Sequence, residues 1–292
     1  MDRLNALALA KHPIQMVDET GGDKGPAIRL ARPSAATIDL QGVAKTYSSP
    51  TGDIHALDKV SVSIARGQFV SLLGPSGCGK STLLRIVAGL DQPSGGVVLI
   101  GGSRVTRPQT QLGIMFQSPV LLEWRDALGN VLLQAEARRM PKDAAEKAAR
   151  ELLASVGLAG FEHKRPHELS GGMQQRVALC RTLLHDPETI LMDEPFGALD
   201  ALTRDQMNVD LQFLWRRGEK TVLFVTHSIV EAVFLSDRVL VMSPAPGRIS
   251  LDLPIDAPRP RRLAMREGTE FTKYVARIRE VLFASGVLRE DQ

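Results

Sequence analysis

The chain has 292 residues, of which 43% are hydrophobic and 24% charged, a composition typical of one large or two small globular domains. A net charge of +3 argues against nucleic acid as the main ligand, and the 2 cysteines, Cys78 and Cys180, indicate reduced thiols in the cytosol rather than a disulfide framework. No apolar run approaches the roughly 18 residues that cross a bilayer, so we expect any role at a membrane to be peripheral.

The first segment with a periodic pattern begins near Thr37. Residues 1–35 carry scattered glycine, proline and charge, which predicts a mobile extension. Alternating apolar residues then predict strands over residues 38–43, 60–64 and 69–73, with a turn at Gly67 before the third. We expect these strands to contribute an antiparallel β layer.

A glycine-rich loop follows the strand at residues 69–73 and leads into a helical pattern. Its glycines allow a tight turn that aims backbone N–H groups inward, and the positive end of the helix points to the same place. Lys80 would contact the terminal phosphates of a polyphosphate, and the Ser81 hydroxyl would ligate a bridging Mg²⁺. The loop reads Gly74, Pro75, Ser76, Gly77, Cys78, Gly79, Lys80 and Ser81.

The middle of the chain changes to helical periodicity. Helices predicted over residues 126–139 and 143–156, the second ended by Gly157, indicate a helical subdomain inserted at about residues 117–175. Strand and helix patterns then alternate, which predicts a parallel sheet with the phosphate loop at the carboxyl ends of its strands. The later elements are strands at 189–192, 221–226 and 238–242, a helix at 204–217 ended by Gly218, and a helix at about 268–283.

Ser170, Gly171 and Gly172 open an apolar-periodic helix. Serine is a good N-cap, and the two glycines leave the first N–H groups uncovered, as in an anion-binding helix end. An ordinary capped helix is the alternative. A second anion-binding helix end beside a complete phosphate loop suggests two nucleotides shared between two chains.

Two adjacent carboxylates, Asp193 and Glu194, end an apolar strand. Successive strand residues point to opposite sides, so the two acids are expected to have different tasks. Asp193 would face the Mg²⁺, usually through water, and Glu194 would polarise the water that attacks the γ-phosphate. The alternative is a strand that ends in solvated acids.

These motifs, in this order, give residues 37–245 a clear resemblance to the ATP-binding cassette (ABC) ATPases, the nucleotide-hydrolysing subunits of membrane transporters. The resemblance implies an α/β fold: a P-loop NTPase core with a mainly parallel sheet, an antiparallel β layer and a helical subdomain. It places the ATPase domain at residues 36–250 and a C-terminal helical extension at 251–292. It also implies ATP and Mg²⁺ as cofactors and ATP-driven, head-to-tail dimerisation.

The same resemblance assigns roles that spacing alone leaves open. It extends the phosphate loop to Thr82. Tyr47, otherwise a strand aromatic, would stack on adenine; Gln117, otherwise a surface residue, would sense Mg²⁺ and the attacking water; His227, otherwise solvated, would hydrogen-bond the γ-phosphate. The signature Ser170, Gly171, Gly172 and Gln174 would bind the nucleotide of the partner subunit, and Ala198, Leu199 and Asp200 would form the loop that crosses the dimer. Met173 departs from the pattern, since glutamine is frequent there, but the helix-end contact needs only the backbone and Ser170.

The segment over residues 115–131, MFQSPVLLEWRDALGNV, resembles importers of nitrate, sulfonate, taurine and similar solutes. This implies a transmembrane permease and, indirectly, a periplasmic solute-binding protein, with the ATPase on the cytoplasmic side of the inner membrane. Leu121, Leu122, Trp124 and Arg125 would form an exposed patch on which a short permease helix docks. The alternative places Trp124 within the packing of the helical subdomain.

Three other classes share part of this pattern. Chromosome-maintenance ATPases carry a coiled-coil arm between phosphate loop and signature, and no long heptad run separates Lys80 from Ser170. Translation-factor ATPases usually carry two cassettes, and this chain has one. Small-molecule kinases do not need the element at residues 170–172. A nucleic-acid partner is therefore not expected.

Overall fold

The computed structural model describes residues 36–50, 52–216 and 220–288. The expected extension at residues 1–35 and the expected helix end at Gly218 lie outside this part of the chain. Ten strands form within it: β1 (Ala36–Tyr47), β2 (Ile54–Ala65), β3 (Phe69–Leu73), β4 (Gly95–Ile100), β5 (Ser103–Arg104), β6 (Gly113–Met115), β7 (Thr189–Asp193), β8 (Thr221–Thr226), β9 (Arg238–Met242) and β10 (Ile249–Pro254).

The same residues form seven α-helices and two short 3₁₀ turns. The helices are α1 (Lys80–Val87), α2 (Ala127–Arg138), α3 (Lys142–Ser155), α4 (Gly171–Leu183), α5 (Ala201–Arg216), α6 (Ile229–Leu235) and α7 (Thr269–Ala284). The 3₁₀ turns are Pro166–Glu168 and Leu263–Glu267.

The strands form two sheets. One is antiparallel, with the order β2-β1-β4-β5, and the other has the order β10-β9-β3-β8-β7-β6. In the larger sheet all neighbours pair in parallel except β10, which pairs antiparallel with β9 at the edge. This arrangement confirms the predicted α/β class with a mainly parallel sheet and an antiparallel β layer.

Strand β3 lies at the centre of the larger sheet and separates two hydrophobic cores. Its five residues are all buried, as expected for a parallel strand covered on both faces. Phe69 and Leu73 belong to the core shared with the helical subdomain, whereas Val70 and Leu72 belong to the core shared with α1 and the antiparallel sheet. The loop after β3 therefore leaves from the middle of the sheet, at the carboxyl ends of the parallel strands.

The helical subdomain is built from α2 and α3 packed against α4. Asp126 caps α2 by accepting a hydrogen bond from the Gly129 backbone N–H at 2.7 Å, and Gly157 follows α3 with a φ of 74°. Val131 and Leu153 are fully buried in the shared core. Both helices agree with the sequence prediction to within one residue.

A strand, β10, precedes the helix that was predicted in the C-terminal extension at residues 251–292. Along β10 the residues Ile249, Leu251 and Leu253 are half-buried and those between them are exposed, so the alternation is that of an edge strand. Pro254 ends the strand, and prolines are tolerated at sheet edges. Helix α7, which was predicted, follows it, and both belong to the same compact unit as the rest of the described chain.

Candidate active site

The predicted phosphate loop lies between the end of β3 and the start of α1. Gly77 and Gly79 have φ values of 77° and 98°, a region that residues with a Cβ rarely adopt. A Cβ on Gly79 would also lie 2.7 Å from Leu57 Cδ2 and 2.8 Å from the Ala56 carbonyl oxygen. Glycine is therefore required at this position both for its conformation and for its space.

The Lys80 ammonium group is held inside this loop. It is 4% exposed and donates hydrogen bonds to the carbonyl oxygens of Gly74 and Pro75, each at 2.9 Å. Its Nζ also lies 3.9 Å from Glu194 Oε1. A buried cation beside uncovered backbone N–H groups is an arrangement that attracts phosphate.

Ser81 and Asp193, which come from α1 and β7, are in direct contact: the Ser81 hydroxyl donates to Asp193 Oδ1 at 2.9 Å. Burial raises the pKa of the Asp193 carboxyl, and the hydrogen bond from Ser81 opposes that rise. No group of three or more His, Cys, Asp or Glu side chains in the described part of the chain could hold a metal ion. A hydroxyl and a carboxylate are nevertheless the oxygen ligands that fit Mg²⁺, which usually keeps water and phosphate as its other ligands.

Glu194 and His227 form the next pair. Glu194 Oε2 and His227 Nδ1 are 3.3 Å apart, and the two side chains are 21% and 52% exposed. The Glu194 backbone N–H donates to the Val225 carbonyl at 2.9 Å, which ties the end of β7 to β8, and Glu194 has a φ of 45°. A carboxylate, an imidazole and the Lys80 ammonium thus meet at the carboxyl ends of β3, β7 and β8.

A cleft of about 430 Å³ lies over this group. It is lined by residues 74–76 of the phosphate loop, by Glu194 and His227, and by Leu282, Val287 and Leu288 at the end of the described chain. The Val287 and Leu288 N–H groups both donate to the Leu282 carbonyl, so the chain folds back after α7 and turns these aliphatic side chains toward the cleft. Sequence patterns predicted α7 but gave no sign that its end lies beside the phosphate loop.

Tyr47 lies at the end of β1 and is 37% exposed. Its hydroxyl donates to Asp91 Oδ2 at 2.8 Å and lies 3.5 Å from the Thr82 hydroxyl oxygen. The Lys45 ammonium lies 4.7 Å from the ring centroid. Tyr47 is therefore held next to the phosphate-loop helix, where a platform for a nucleobase would be needed.

The signature residues form a second group with the predicted dimer loop. Ser170 caps α4 by accepting from the Met173 N–H at 3.3 Å, and a Cβ on Gly172 would lie 2.5 Å from Thr203 Cγ2. Asp200 Oδ1 accepts a hydrogen bond from the Thr203 N–H at 3.0 Å, at the start of α5. Helix α5 therefore begins at Ala201, three residues before the predicted start. Gln174 faces its own chain, since its side-chain N–H group donates to the Pro166 carbonyl at 2.9 Å.

Gln117 follows β6, beside the strand that carries Asp193, and its side chain is exposed. Its carbonyl oxygen accepts a hydrogen bond from Gln175 Nε2 at 2.9 Å, and Gln175 itself is 2% exposed. The backbone at Gln117 is thus linked to the signature helix α4. The helical spacing of Gln175 and Leu179 on one buried face is the only sequence signal for this contact.

Comparison with known proteins agrees with this geometry. A family model described as ABC transporter matches residues 57–197. An uncharacterized ABC transporter ATP-binding protein of Methanocaldococcus jannaschii is 45% identical over 84% of this chain and 91% of its own length. The chain belongs to the ABC transporter family. This ABC protein is an ATPase that binds ATP with Mg²⁺, as the resemblance implied.

Other relatives of this ABC protein have more specific names. A taurine import ATP-binding protein of Roseobacter denitrificans is 46% identical over 73% of this chain and 80% of its own length. An aliphatic sulfonates import ATP-binding protein of Bacillus cereus is 41% identical over 82% of this chain and 94% of its own length. A solved dimeric ATP-binding cassette in a post-hydrolysis state, bound to ADP and Pi, has a TM-score of 0.68 and 34% identity, covering 75% of this chain and 99% of the other.

Proposed function

We propose that this chain is the ATP-hydrolysing subunit of an importer of a small organic or inorganic solute of the nitrate, sulfonate and taurine type. The observation that carries the proposal is a set of contacts at the phosphate loop. Lys80 Nζ lies 3.9 Å from Glu194 Oε1, the Ser81 hydroxyl donates to Asp193 Oδ1 at 2.9 Å, and Glu194 Oε2 lies 3.3 Å from His227 Nδ1. The direction of transport and the solute class are supported by relatives named as taurine and aliphatic sulfonates import proteins.

Each of these five side chains has a task in the proposed reaction. Lys80 and the N–H groups of the loop hold the terminal phosphates. Ser81 and Asp193 would hold Mg²⁺, which would supply positive charge to offset the negative charge of the transferred group. Glu194 accepts a hydrogen bond from the attacking water and draws off its proton, and His227, next to Glu194, holds the γ-phosphate.

Two further residues complete the proposed nucleotide site. Tyr47 would stack on the adenine ring through the face opposite to the Lys45 ammonium, which lies 4.7 Å from the ring centroid. Gln117, fixed through its backbone by Gln175, would respond to Mg²⁺ and the attacking water. Ser170 with residues 171–172 of another copy would supply a second anion-binding helix end.

A charge placed on the signature tests this shared site. In Ser170→Asp the aspartate can still cap α4, and it adds a negative charge where the partner's γ-phosphate would rest. We expect ATP-driven dimerisation and hydrolysis to fail while the monomer binds ATP with unchanged affinity, as measured by size-exclusion chromatography, phosphate release and nucleotide titration.

The matched control for this variant is Ser170→Asn, which keeps a capping side chain of the same size without the charge. Normal dimerisation of Ser170→Asn beside failure of Ser170→Asp isolates the electrostatic effect. If Ser170→Asp loses ATP affinity as a monomer, the signature acts within its own chain and the shared-site geometry is wrong.

The proposed permease contact lies after Gln117. Trp124 is 73% exposed, which contradicts the alternative that it packs inside the helical subdomain. Its neighbour Arg125 pairs with Glu136 at 2.7 Å. Trp124 and Arg125 line one cleft, and Leu122, two residues before Trp124, lines a separate groove of about 560 Å³ whose side chains are mainly apolar. We infer that a short cytoplasmic helix of the permease docks on the surface that carries Leu122 and Trp124, with Trp124 as an anchor.

We expect Trp124→Ala to weaken assembly with the permease and leave the isolated subunit active. Loss of a Trp anchor commonly costs about 2 kcal/mol or more of association energy. Because Trp124 is 73% exposed, the melting temperature and basal ATPase should change little. Permease co-purification, solute uptake in cells and thermal melting measure the three effects.

The other tryptophan provides the control. Trp215 packs edge-on against Phe69 with ring centroids 5.8 Å apart, and its indole N–H donates to the Lys220 carbonyl at 2.6 Å. Truncating a packed aromatic costs about 3 to 5 kcal/mol of stability, so Trp215→Ala should lower the melting temperature clearly. A Trp124→Ala protein that melts early but assembles normally per folded molecule would exclude the docking role.

Among the helices that the structure describes, none could span a lipid bilayer. We place the subunit on the cytoplasmic face of the inner membrane, held there by the permease, with a periplasmic solute-binding protein acting across the membrane. Uptake of labelled taurine, an alkanesulfonate and nitrate by cells with and without the gene tests the solute class. Equal uptake of all three in the two strains would contradict it.

A further inference from the structure

Arg204, on the first turn of α5, links the dimer loop to α6. Its Nη2 donates to the Leu199 carbonyl at 2.7 Å, and its Nε lies 3.7 Å from Glu231 Oε1. The Glu231 side chain is 7% exposed and that of Arg204 is 30% exposed. A buried carboxylate therefore faces a guanidinium group that also holds the backbone of the dimer loop.

The other oxygen of Glu231 holds the segment around His227. Glu231 Oε2 accepts from the Thr226 hydroxyl at 2.6 Å, and that hydroxyl oxygen in turn accepts from the Ser228 N–H at 3.0 Å. The Ser228 hydroxyl accepts from the Glu231 N–H at 3.3 Å. Both chain neighbours of His227 are thus fixed to Glu231.

We propose that Arg204 and Glu231 are positioning residues that transmit movement of the dimer loop to His227, so that dimer closure sets the imidazole against the γ-phosphate. The inference rests on the proposed roles of the dimer loop and of His227. Neither Arg204 nor Glu231 lines the cleft of the phosphate loop, so their effect on the reaction passes through other residues.

The pair of Arg204 and Glu231 can transmit a small movement because its two nearest atoms, 3.7 Å apart, are close to hydrogen-bond distance but do not form a hydrogen bond. Neither Arg204 Nε nor Glu231 Oε1 has a hydrogen-bond partner among the described residues, although both atoms are buried. A shift of less than about 1 Å would bring them within hydrogen-bond distance. Burial raises the pKa of Glu231, and the hydrogen bond from Thr226 and the positive charge of Arg204 are among the interactions that oppose that rise.

The test compares kcat, KM and melting temperature for Arg204→Ala, Glu231→Gln and the double variant, together with ATP binding to the monomer. A positioning error of about 1 Å costs on the order of 100-fold in rate, so we expect each single variant to lower kcat about 10- to 100-fold with KM unchanged. The double variant should be no slower than the slower single variant, because both changes break one linkage. Arg204→Lys, which keeps the charge, should recover part of the rate.

Asp210→Asn is the matched control. Asp210, which lies on α5 like Arg204, pairs at 3.5 Å with Arg176 of α4, and the side chains of Asp210 and Arg176 are 15% and 20% exposed. It should lower the melting temperature as much as the test variants and keep normal kcat. A fall of kcat in Asp210→Asn that matches its loss of stability would overturn the proposal, as would additive losses in the double variant.

His227→Ala separates the failure of this inference from failure of the proposed function. If His227→Ala is inactive while folded Arg204→Ala and Glu231→Gln hydrolyse ATP normally, the linkage is wrong and the role of His227 stands. If His227→Ala itself has normal activity, the proposed role of His227 is wrong and the linkage falls with it.

Discussion

ATP hydrolysis should stop in a Lys80→Ala variant that keeps its fold. Lys80 is 4% exposed, and its ammonium group donates hydrogen bonds to the carbonyl oxygens of Gly74 and Pro75. The β- and γ-phosphates of ATP would lie at this point. A hydrogen bond to a charged group contributes about 1.5 to 3 kcal/mol, so its loss should weaken ATP binding at least about 10-fold. Turnover should fall below detection, because the same charge stabilises the transferred phosphoryl group.

Nucleotide titration, phosphate release and circular dichroism on the purified variant check this result. Lys147→Ala removes the same charge from the exposed surface of α3 and should behave like the unmodified protein. Normal hydrolysis by a folded Lys80→Ala protein would overturn the assignment of the phosphate loop.

Glu194→Gln should separate binding from chemistry. Glutamine keeps the shape of the side chain and can still contact His227 across the 3.3 Å gap, but it cannot take a proton from water. General-base catalysis is typically worth about 10² to 10⁴ in rate, so hydrolysis should fall by that factor while ATP still binds. Unhydrolysed ATP should then hold two chains together.

Size-exclusion chromatography with ATP and Mg²⁺, run beside a phosphate-release assay, measures both effects. Glu188→Gln is the control, because Glu188 precedes the opposite end of the same strand and its side chain is 80% exposed. A Glu194→Gln protein that stays monomeric and hydrolyses ATP at the normal rate contradicts the role of general base.

Features that depend on neighbouring residues could be predicted from the sequence. The phosphate loop and the N-cap of α4 follow from local backbone requirements, and β3 and β7 follow from their apolar runs. Ser81 and Asp193 were each predicted to face Mg²⁺, and the structure has the Ser81 hydroxyl 2.9 Å from Asp193 Oδ1.

Contacts between distant segments could not be predicted in the same way. The link from Gln175 to Gln117 and the pair of Arg204 and Glu231 join helices to loops, and no periodicity encodes such a partner. The place of Trp124 was open for a similar reason, because an apolar side chain in an irregular segment fits either a core or an interface. Strand β10 was missed because an edge strand of half-buried and exposed residues is short and carries a proline.

The backbone of Glu194 has a consequence for any attempt to stabilise this protein. A φ of 45° is unfavourable by about 1 to 2 kcal/mol for a residue with a Cβ, whereas glycine adopts it freely and asparagine does so more easily than most residues. A residue that adopts this φ more easily than glutamate should therefore increase the stability of the protein at the position of the proposed base. Selection for heat resistance alone would favour glycine or asparagine at position 194, and these variants would lose ATP hydrolysis. A screen for stabilised variants therefore has to measure turnover together with melting temperature.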